Sequence, residues 1–368
     1  MTAFVSATVL EINRAESPIH LRLAASLAAK IAADLGARVI KVEPLGGDPV
    51  RKTPPHLDPS VPEGSALFEF LNTGKESVIL DVDSTSGAAA LAALEERADA
   101  VIREHAPAPD AKPGSRVDVH ITGLGRAVGG GGAEQPASEL TILAMSGLLD
   151  MIGDPARAPL RLGGHQAAYA GGLSAFTGMM AGLTGLRRTG RGEIVTVSLL
   201  DSMLWINWKS PAGAMFLGRP PRREGAQAEW QTIPCADGRV ALVYFERDWP
   251  QICELARQPL LAKPPFAAAA ERRRNRAAAV ALLAEAFAGR TRQDIFAEAK
   301  RRRIPLGPVL SPLELLEDPQ YLARDFIATV RHPRLGDLSM PHVPVTWNGR
   351  RFGPRPAPAE GTLSEVRA

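Results

Sequence analysis

The chain has 368 residues, 45% hydrophobic and 23% charged, and 43 Lys+Arg against 40 Asp+Glu leave a formal charge of +3, too balanced to name an electrostatic partner. That length makes about two domains the default and allows at least one sizeable core. No run approaches the ~18 apolar residues of a membrane span, Cys235 and Cys253 cannot form a disulfide framework or a Cys-based zinc site, and the first residues lack a leader pattern, so a soluble cytoplasmic protein is expected.

Residues 7–12 read as a short buried strand. From Leu21 to Leu35 apolar residues recur at helical spacing, and Gly36 stops the run. The β-branched stretch 38–43 follows as a strand, so the chain opens on a strand–helix–strand unit with short connections, the signature of a parallel α/β sheet. Further strands are expected at 77–82, 100–102 and 117–122, with a helix over 87–96. The stretch 170–186 carries Gly171, Ala175, Gly178, Gly182 and Gly185 on one helical face. A helix that rich in glycine gives up propensity, so something approaches its backbone closely; tight packing in the core, or a dimer seam, is the plainer explanation. A strand over 193–198 then leads into an apolar helix over 199–208.

Near residue 210 the texture changes. Pro211, Pro220 and Pro221 with several arginines mark a linker over 209–229. Residues 230–304 form a smaller second domain, with a hairpin whose turn is Asp237-Gly238 and two Ala-rich helices. The chain from 305 to 368 is proline-punctuated, with a short helix over 312–317, extended segments and about fifteen residues of surface tail. The first domain occupies 1–208.

Gly123-Leu-Gly125-Arg-Ala-Val-Gly129 follows a strand, but its spacing is one residue too long for a dinucleotide fingerprint and no helix follows, so a glycine loop is expected. Walker A spacing is absent, and the turn after the first strand lacks the glycines of a pyrophosphate cradle. None of the seven histidines pairs with another at the i, i+4 spacing of a metal site, so no metal is expected. His165 stands at the start of the glycine-rich helix, where free N–H groups and positive potential suit a ligand or an oxyanion; a capping or packing role fits it equally well. The arginine runs 272–276 and 300–303 lack the interleaved aromatics of a single-strand nucleic-acid binder. Solvated helix faces are the expectation for both, with an anionic small molecule second and no nucleic acid.

Several segments, taken together, resemble the class III (CaiB/BaiF-like) CoA-transferases. They include Ala33-Asp34-Leu-Gly36-Ala37 through Glu43, Gly47-Asp48-Pro-Val-Arg51, Leu71-Asn72-Thr-Gly74-Lys75 and Ile121-Thr-Gly-Leu-Gly125. Met145-Ser146-Gly147, Gly153-Asp-Pro155, Thr189-Gly-Arg-Gly192, Ser198-Leu-Leu-Asp201, Ala236-Asp-Gly238, residues 304–309 and Glu317-Asp-Pro319 continue the series collinearly. The resemblance implies a Rossmann-like large domain with a parallel sheet, a smaller α+β domain, an interlocked dimer, and coenzyme A or an acyl-CoA as substrate with a carboxylic acid as acceptor. It also implies CoA contacts at Arg51, Asn72, Gly74, Lys75, Gly123 and Gly125. The family's nucleophilic aspartate falls on Ala168, and the family's Asn-Phe after the third strand falls on Glu104-His105. With no carboxylate at 168, the resemblance leaves Glu139, His165, Gln166 and Tyr169 as candidate catalytic residues for acid/base chemistry on an acyl-CoA, of the lyase, hydratase or thioesterase type. The alternative is a non-catalytic subunit that pairs with an Asp-bearing paralogue, so the assembly is expected to be a homodimer or a heteromer.

Overall fold

A computed structural model describes residues 7–108, 110–125, 136–218, 222–225, 228 and 230–362. The chain divides into two units, one from 1–152, 160–221 and 323–368, the other from 153–159 and 222–322.

The first unit is built on a six-stranded sheet of β1 (Thr8–Ile12), β2 (Arg38–Glu43), β3 (Glu76–Ile79), β4 (Ala100–Arg103), β5 (Val117–Thr122) and β6 (Glu193–Ser198). All neighbours pair parallel, in the order β3-β2-β1-β4-β5-β6. The central strands are buried on both faces, and adjacent residues serve opposite cores. Val9, Val39 and Ile102 face the larger core, with α1 (Ile19–Asp34), while Leu10, Ile40 and Val101 face a smaller one containing Leu94 of α3 (Thr85–Glu96). This explains the continuous apolar runs that mark these strands in the sequence. Gly36, at φ +103°, supplies the left-handed turn that ends the α1 connection. A short helix α2 (Ala66–Leu71) precedes β3, and α4 (Glu139–Met145), α5 (Gln166–Thr189), α6 (Leu199–Ile206) and α7 (Lys209–Leu217) complete this part. Helix α7 lies within the span expected to be a linker.

The glycine face of α5 packs inside the unit. A Cβ on Gly172 would stand 2.7 Å from the Ala24 carbonyl oxygen of α1, and one on Gly182 would stand 2.7 Å from Val117 of β5. Gly185 faces open space.

The expected surface tail is a clasp as far as Thr362. Pro354, Ala357 and Pro358 are buried, Gly74 N donates to Pro356 O at 3.1 Å, and Ser77 N donates to Thr362 Oγ1 at 3.0 Å. Proline-rich chain cannot form its own ladder, so it satisfies its carbonyls against the edge strand beside it.

In the second unit β7 (Gln231–Cys235) and β8 (Gly238–Leu242) form the hairpin, and β9 (Leu306–Pro308) adds antiparallel to β8. Cys235 pairs with Gly238, so the turn residues are Ala236 and Asp237, one position earlier than expected. Helices α8 (Trp249–Ala256), α9 (Ala269–Arg274), α10 (Arg276–Phe287) and α11 (Arg292–Arg301) cover the sheet. Arg272 does not belong to a solvated face. It is 3% exposed, stacks 4.0 Å over the Trp249 ring and donates to Phe266 O at 2.7 Å. A planar guanidinium can be buried this way because the aromatic face and the carbonyls replace its water. Among the described residues no helix is long and apolar enough to cross a membrane.

Candidate active site

Helix α5 crosses back from β5 to β6 antiparallel to both strands, so it starts at the carboxyl edge of the sheet. Its first turn needs partners for free N–H groups, and the N-cap residue His165 offers no side-chain hydrogen bond. The partner comes from the first residue of α4. Glu139 Oε1 accepts from Ala167 N at 2.6 Å, and Oε2 accepts from Ala168 N at 3.3 Å. Ser138 fixes the start of α4 by accepting from Thr141 N at 3.2 Å, which sets where Glu139 stands. Glu139 is buried at the start of the 24-residue helix α5.

The His165 and Tyr169 rings meet edge to face with centroids 6.2 Å apart. Burial, reinforced by the charge of Glu139, raises the Tyr169 phenol above its ordinary range, so it remains a proton donor. Gln166 is exposed and donates to Gly163 O at 2.9 Å. Ala168 is fully buried in the larger core. The structure thus gathers Glu139, His165 and Tyr169 at one helix end, and turns the Gln166 amide toward the preceding loop.

The six residues expected to touch CoA do not form one cluster. Gly74 and Lys75 precede β3, at the amino edge of the sheet, whereas Gly123 and Gly125 follow β5, at the carboxyl edge. Gly125, at φ +83°, lies against Ser198 and Asp201 at the start of α6, and Gly123 O accepts from Leu200 N at 3.0 Å. The glycines at 129–132 lie outside the described residues. Arg51 makes a two-pronged pair with Glu43, at 2.8 and 2.6 Å, donates to Pro358 O at 3.1 Å and covers the Phe68 ring at 4.0 Å. Lys75 Nζ spends its three donors on Glu11 Oε2, Asn72 Oδ1 and Ser26 O, at 2.6, 2.8 and 3.0 Å. Asn72 in turn donates to Phe68 O at 3.0 Å.

Lys75 belongs to a buried charge network that sequence reasoning did not find. Lys41 Nζ pairs with Glu11 at 2.7 Å and Asp48 at 2.8 Å, and also donates to Asn13 Oδ1. Asn13 Nδ2 donates to Glu104 Oε1 at 2.5 Å. Burial pushes the Lys75 ammonium down to about 8, with Lys41 adding to it and Glu11 resisting. Burial likewise pushes Glu104 up to about 7, against the pull of Arg22, Ser17, Lys41 and Asn13. The signal lay in the strands: Glu11, Lys41 and Glu43 sit inside runs otherwise apolar, where a charge must find a partner.

Another buried carboxyl, that of Glu69, lies beside the β10 (Ile327–His332) and β11 (Gly336–Pro341) hairpin of the first unit. A cavity of about 60 Å³ is lined by Arg51, Glu69, His332 and Arg334 among others. His332 Nδ1 accepts from Arg334 N and Leu335 N, at 3.2 and 3.1 Å, so Nε2 carries the ring proton and faces Glu69 Oε2 at 3.4 Å. Among the described residues no group of three or more His, Cys, Asp and Glu is arranged to hold a metal ion.

Comparison with known proteins shows the family of the chain. The chain is 28% identical over 344 residues to the succinyl-CoA:mesaconate CoA-transferase of Haloarcula marismortui, covering 86% of this chain and 84% of that one. It is 27% identical over 359 residues to the BbsE subunit of the succinyl-CoA:(R)-benzylsuccinate CoA-transferase of Thauera aromatica, covering 89% and 87%. The solved structure of a CAIB/BAIF family protein from Brucella suis superposes with a TM-score of 0.83 at 26% identity, over 98% of this chain and 97% of that one. Residues 19–362 match the model of CoA-transferase family III, and the chain belongs to that family.

Proposed function

We propose that the chain binds an acyl-CoA thioester at the carboxyl edge of the six-stranded sheet and acts on it by acid/base chemistry without an acyl-enzyme at position 168. The observation that carries this reading is the Glu139 carboxylate seated on the Ala167 and Ala168 N–H groups, beside His165 and Tyr169. A methyl group at 168 can neither attack a thioester nor leave from it. Glu139 spends both oxygens on the helix and so holds the helix start in place. His165 is then the proton acceptor, and the Tyr169 hydroxyl the donor. In a thioesterase-type turnover, water would pass a proton to His165 as its oxygen bonds to the acyl carbon. The C–S bond would break, and the departing sulfur would take a proton from Tyr169 or the imidazolium. Gly123 and Gly125, at the same edge, are the direct CoA contacts in this proposal. Arg51, Asn72 and Lys75 support it from within, as the charged framework behind the strands.

The test follows free-thiol release from a panel of short acyl-CoAs, with and without carboxylic acid acceptors, together with the intact mass of the enzyme. Thioester turnover with no covalent adduct, lowered about 100-fold or more by His165→Ala, is the expected result. A mass-shifted enzyme and acyl exchange into the acceptor would overturn it. A second reading, a binding subunit that depends on an Asp-bearing relative, is favoured by the strongly exposed apolar side chains of α6 and α7. Turnover that requires the second chain would select it.

A further inference from the structure

Three segments far apart in sequence close around the cavity of about 60 Å³ in the first unit: the stretch from Arg51 to Glu69, the turn of the β10–β11 hairpin, and the clasp at Ala357 and Pro358. Among the described residues that line it none belongs to α4 or α5, so it is separate from the helix end held by Glu139. A liquid water claims about 30 Å³, so the space matches roughly two waters, or one formate or acetate. Its walls divide by chemistry. Val61 and Leu335 offer methyl groups, whereas Arg51, Glu69, His332 and Arg334 bring charge and hydrogen bonds.

Glu69 decides what this cavity can hold. The residue is 5% exposed, and among the described residues its Oε2 is buried without a hydrogen bond. His332 Nε2 stands 3.4 Å from that oxygen, beyond the ordinary N–H···O range and not aligned as a bond. The ring cannot turn to improve the contact, because Nδ1 is held by Arg334 N and Leu335 N. Burial and the Arg334 charge lower its basicity, so it stays a neutral N–H donor. Burial pushes the Glu69 carboxyl up to about 7, against the charges of Arg51 and Arg334. The other charges around the cavity are engaged: Glu43 with Arg51, Glu63 with Arg334 at 3.2 Å, and Glu360 of the clasp, which acts on Arg51. A guanidinium carries five N–H donors, and Arg334 reaches Glu63 through Nη1. At neutral pH and below, three donors therefore converge without an acceptor: the Glu69 O–H, His332 Nε2–H and the remaining N–H groups of Arg334. Buried donors left open are costly, and a group that only accepts would satisfy them. An ionised Glu69 would repel such a group, since two carboxylates at hydrogen-bond distance share one proton.

We propose that this cavity is a further ligand site, which takes a small carboxylate of the size of formate or acetate, together with one proton held between the ligand and Glu69. The carboxylate accepts from Glu69, His332 and Arg334, and its short apolar end lies toward Val61 and Leu335. Above neutrality, where free Glu69 is ionised, binding draws that proton from solvent.

The test titrates isotope-labelled acetate into the full chain by NMR at pH 6, pH 7 and pH 8, at constant ionic strength. Acetate is ionised across this range, so any slope reports the protein. A ligand of so few atoms reaches roughly millimolar affinity. The proposal expects saturable binding in that range at pH 6 and a loss of about 10-fold by pH 8. Glu69→Gln keeps a donor but cannot ionise, so its affinity should be level across the series. Arg334→Ala should weaken acetate about 10-fold at every pH and keep the slope. Because the wild-type profile is read on the unaltered chain, it decides the matter even if a variant fails to fold. Affinity that does not change between pH 6 and pH 8, or no saturation by about 50 mM acetate, would overturn the inference. A slope that survives in Glu69→Gln would overturn it too, by placing the acetate against another group. Chloride competing as well as acetate would overturn the choice of a carboxylate.

Discussion

At the scale of single residues, the two carboxyls held near neutrality give the clearest pH signature. Burial pushes Glu69 up to about 7 against the pull of Arg51 and Arg334, with the neutral His332 facing it and Glu63 tied to Arg334 at 3.2 Å. A carboxyl whose folded value lies above its unfolded value of 4.5 contributes full stability below that unfolded value. The contribution is lost as pH rises toward about 7, because the unfolded chain ionises first. Glu69→Gln removes this loss, so its stability relative to wild type should grow between pH 5 and pH 8 by on the order of 1 kcal/mol, discounted for partial solvent access. His332 is common to both chains, so the difference between two urea-unfolding series isolates Glu69; a gap that does not change with pH would refute the assignment. Glu139→Ala should cost about 1–2 kcal/mol at pH 7, the worth of an anionic cap at a partly buried helix start. An unchanged urea midpoint would show that the first turn of α5 is held by other contacts. His165 was legible in the sequence because a long glycine-rich helix announces its own start, whereas Glu139 and Tyr169 came forward only through the family resemblance. The engagement of Lys75 was not legible, since its partner Glu11 is 64 positions away and only the pairing of strands brings them together. A lysine after a strand looks the same in sequence whether it meets a ligand or a buried glutamate.

At the scale of elements, α5 offers a paired experiment, because its glycines share a helix but not an environment. Gly172 meets a backbone carbonyl of α1 that cannot step aside, whereas nothing lies within 4 Å of a Cβ at Gly185. Gly172→Ala should therefore destabilise by about 1–3 kcal/mol through overpacking, even though alanine is the better helix former. Gly185→Ala should stabilise by roughly 0.5–1 kcal/mol on propensity alone. Urea denaturation of both variants checks the contrast, and equal midpoints would mean that α1 and α5 are not packed through this face. The six sheet strands and the helices α1, α3, α5 and α6 of the first unit were readable from periodicity and short connections, while α2, α4 and α7 were not expected. The lateral order of the strands was not readable, because β1 lies between β2 and β4 through contacts that leave no mark on either neighbour's pattern. The hairpin turn shifted by one residue for a similar reason: Asp-Gly marks a turn, but cross-strand packing of Ile233 with Val240 sets the register. The tail escaped notice because chain without periodicity reads as surface, and Ala357 is buried by what the strands offer it rather than by its own pattern.

At the scale of the whole molecule, the question is what covers α6 and α7. Helix α6 buries Leu199 and Met203 against its own unit, but Trp205 is 82% exposed, and on α7 Met215 and Phe216 are 85% and 90% exposed. Trp208 and Leu217 are exposed beside them. Side chains of this size remove on the order of 600 Å² from water when covered together, close to one partner's share of a standard interface. Scattered single apolar residues need no explanation, but a run of this kind on successive helices marks an association surface. A second copy of the chain is the expected occupant, since a symmetric pair buries the same patch twice. Sedimentation equilibrium at micromolar concentration should give the mass of a dimer. The double variant Trp205→Glu, Phe216→Glu should sediment as a folded monomer, because two buried carboxylates would each have to give up water without a partner. A wild-type monomer that becomes a heteromer only when an Asp-bearing relative is added would transfer this surface to that relative, and would select the binding-subunit reading over independent turnover. A dimer that persists in the double variant would place the contact elsewhere on the chain, and the exposed tryptophans would then need a different account.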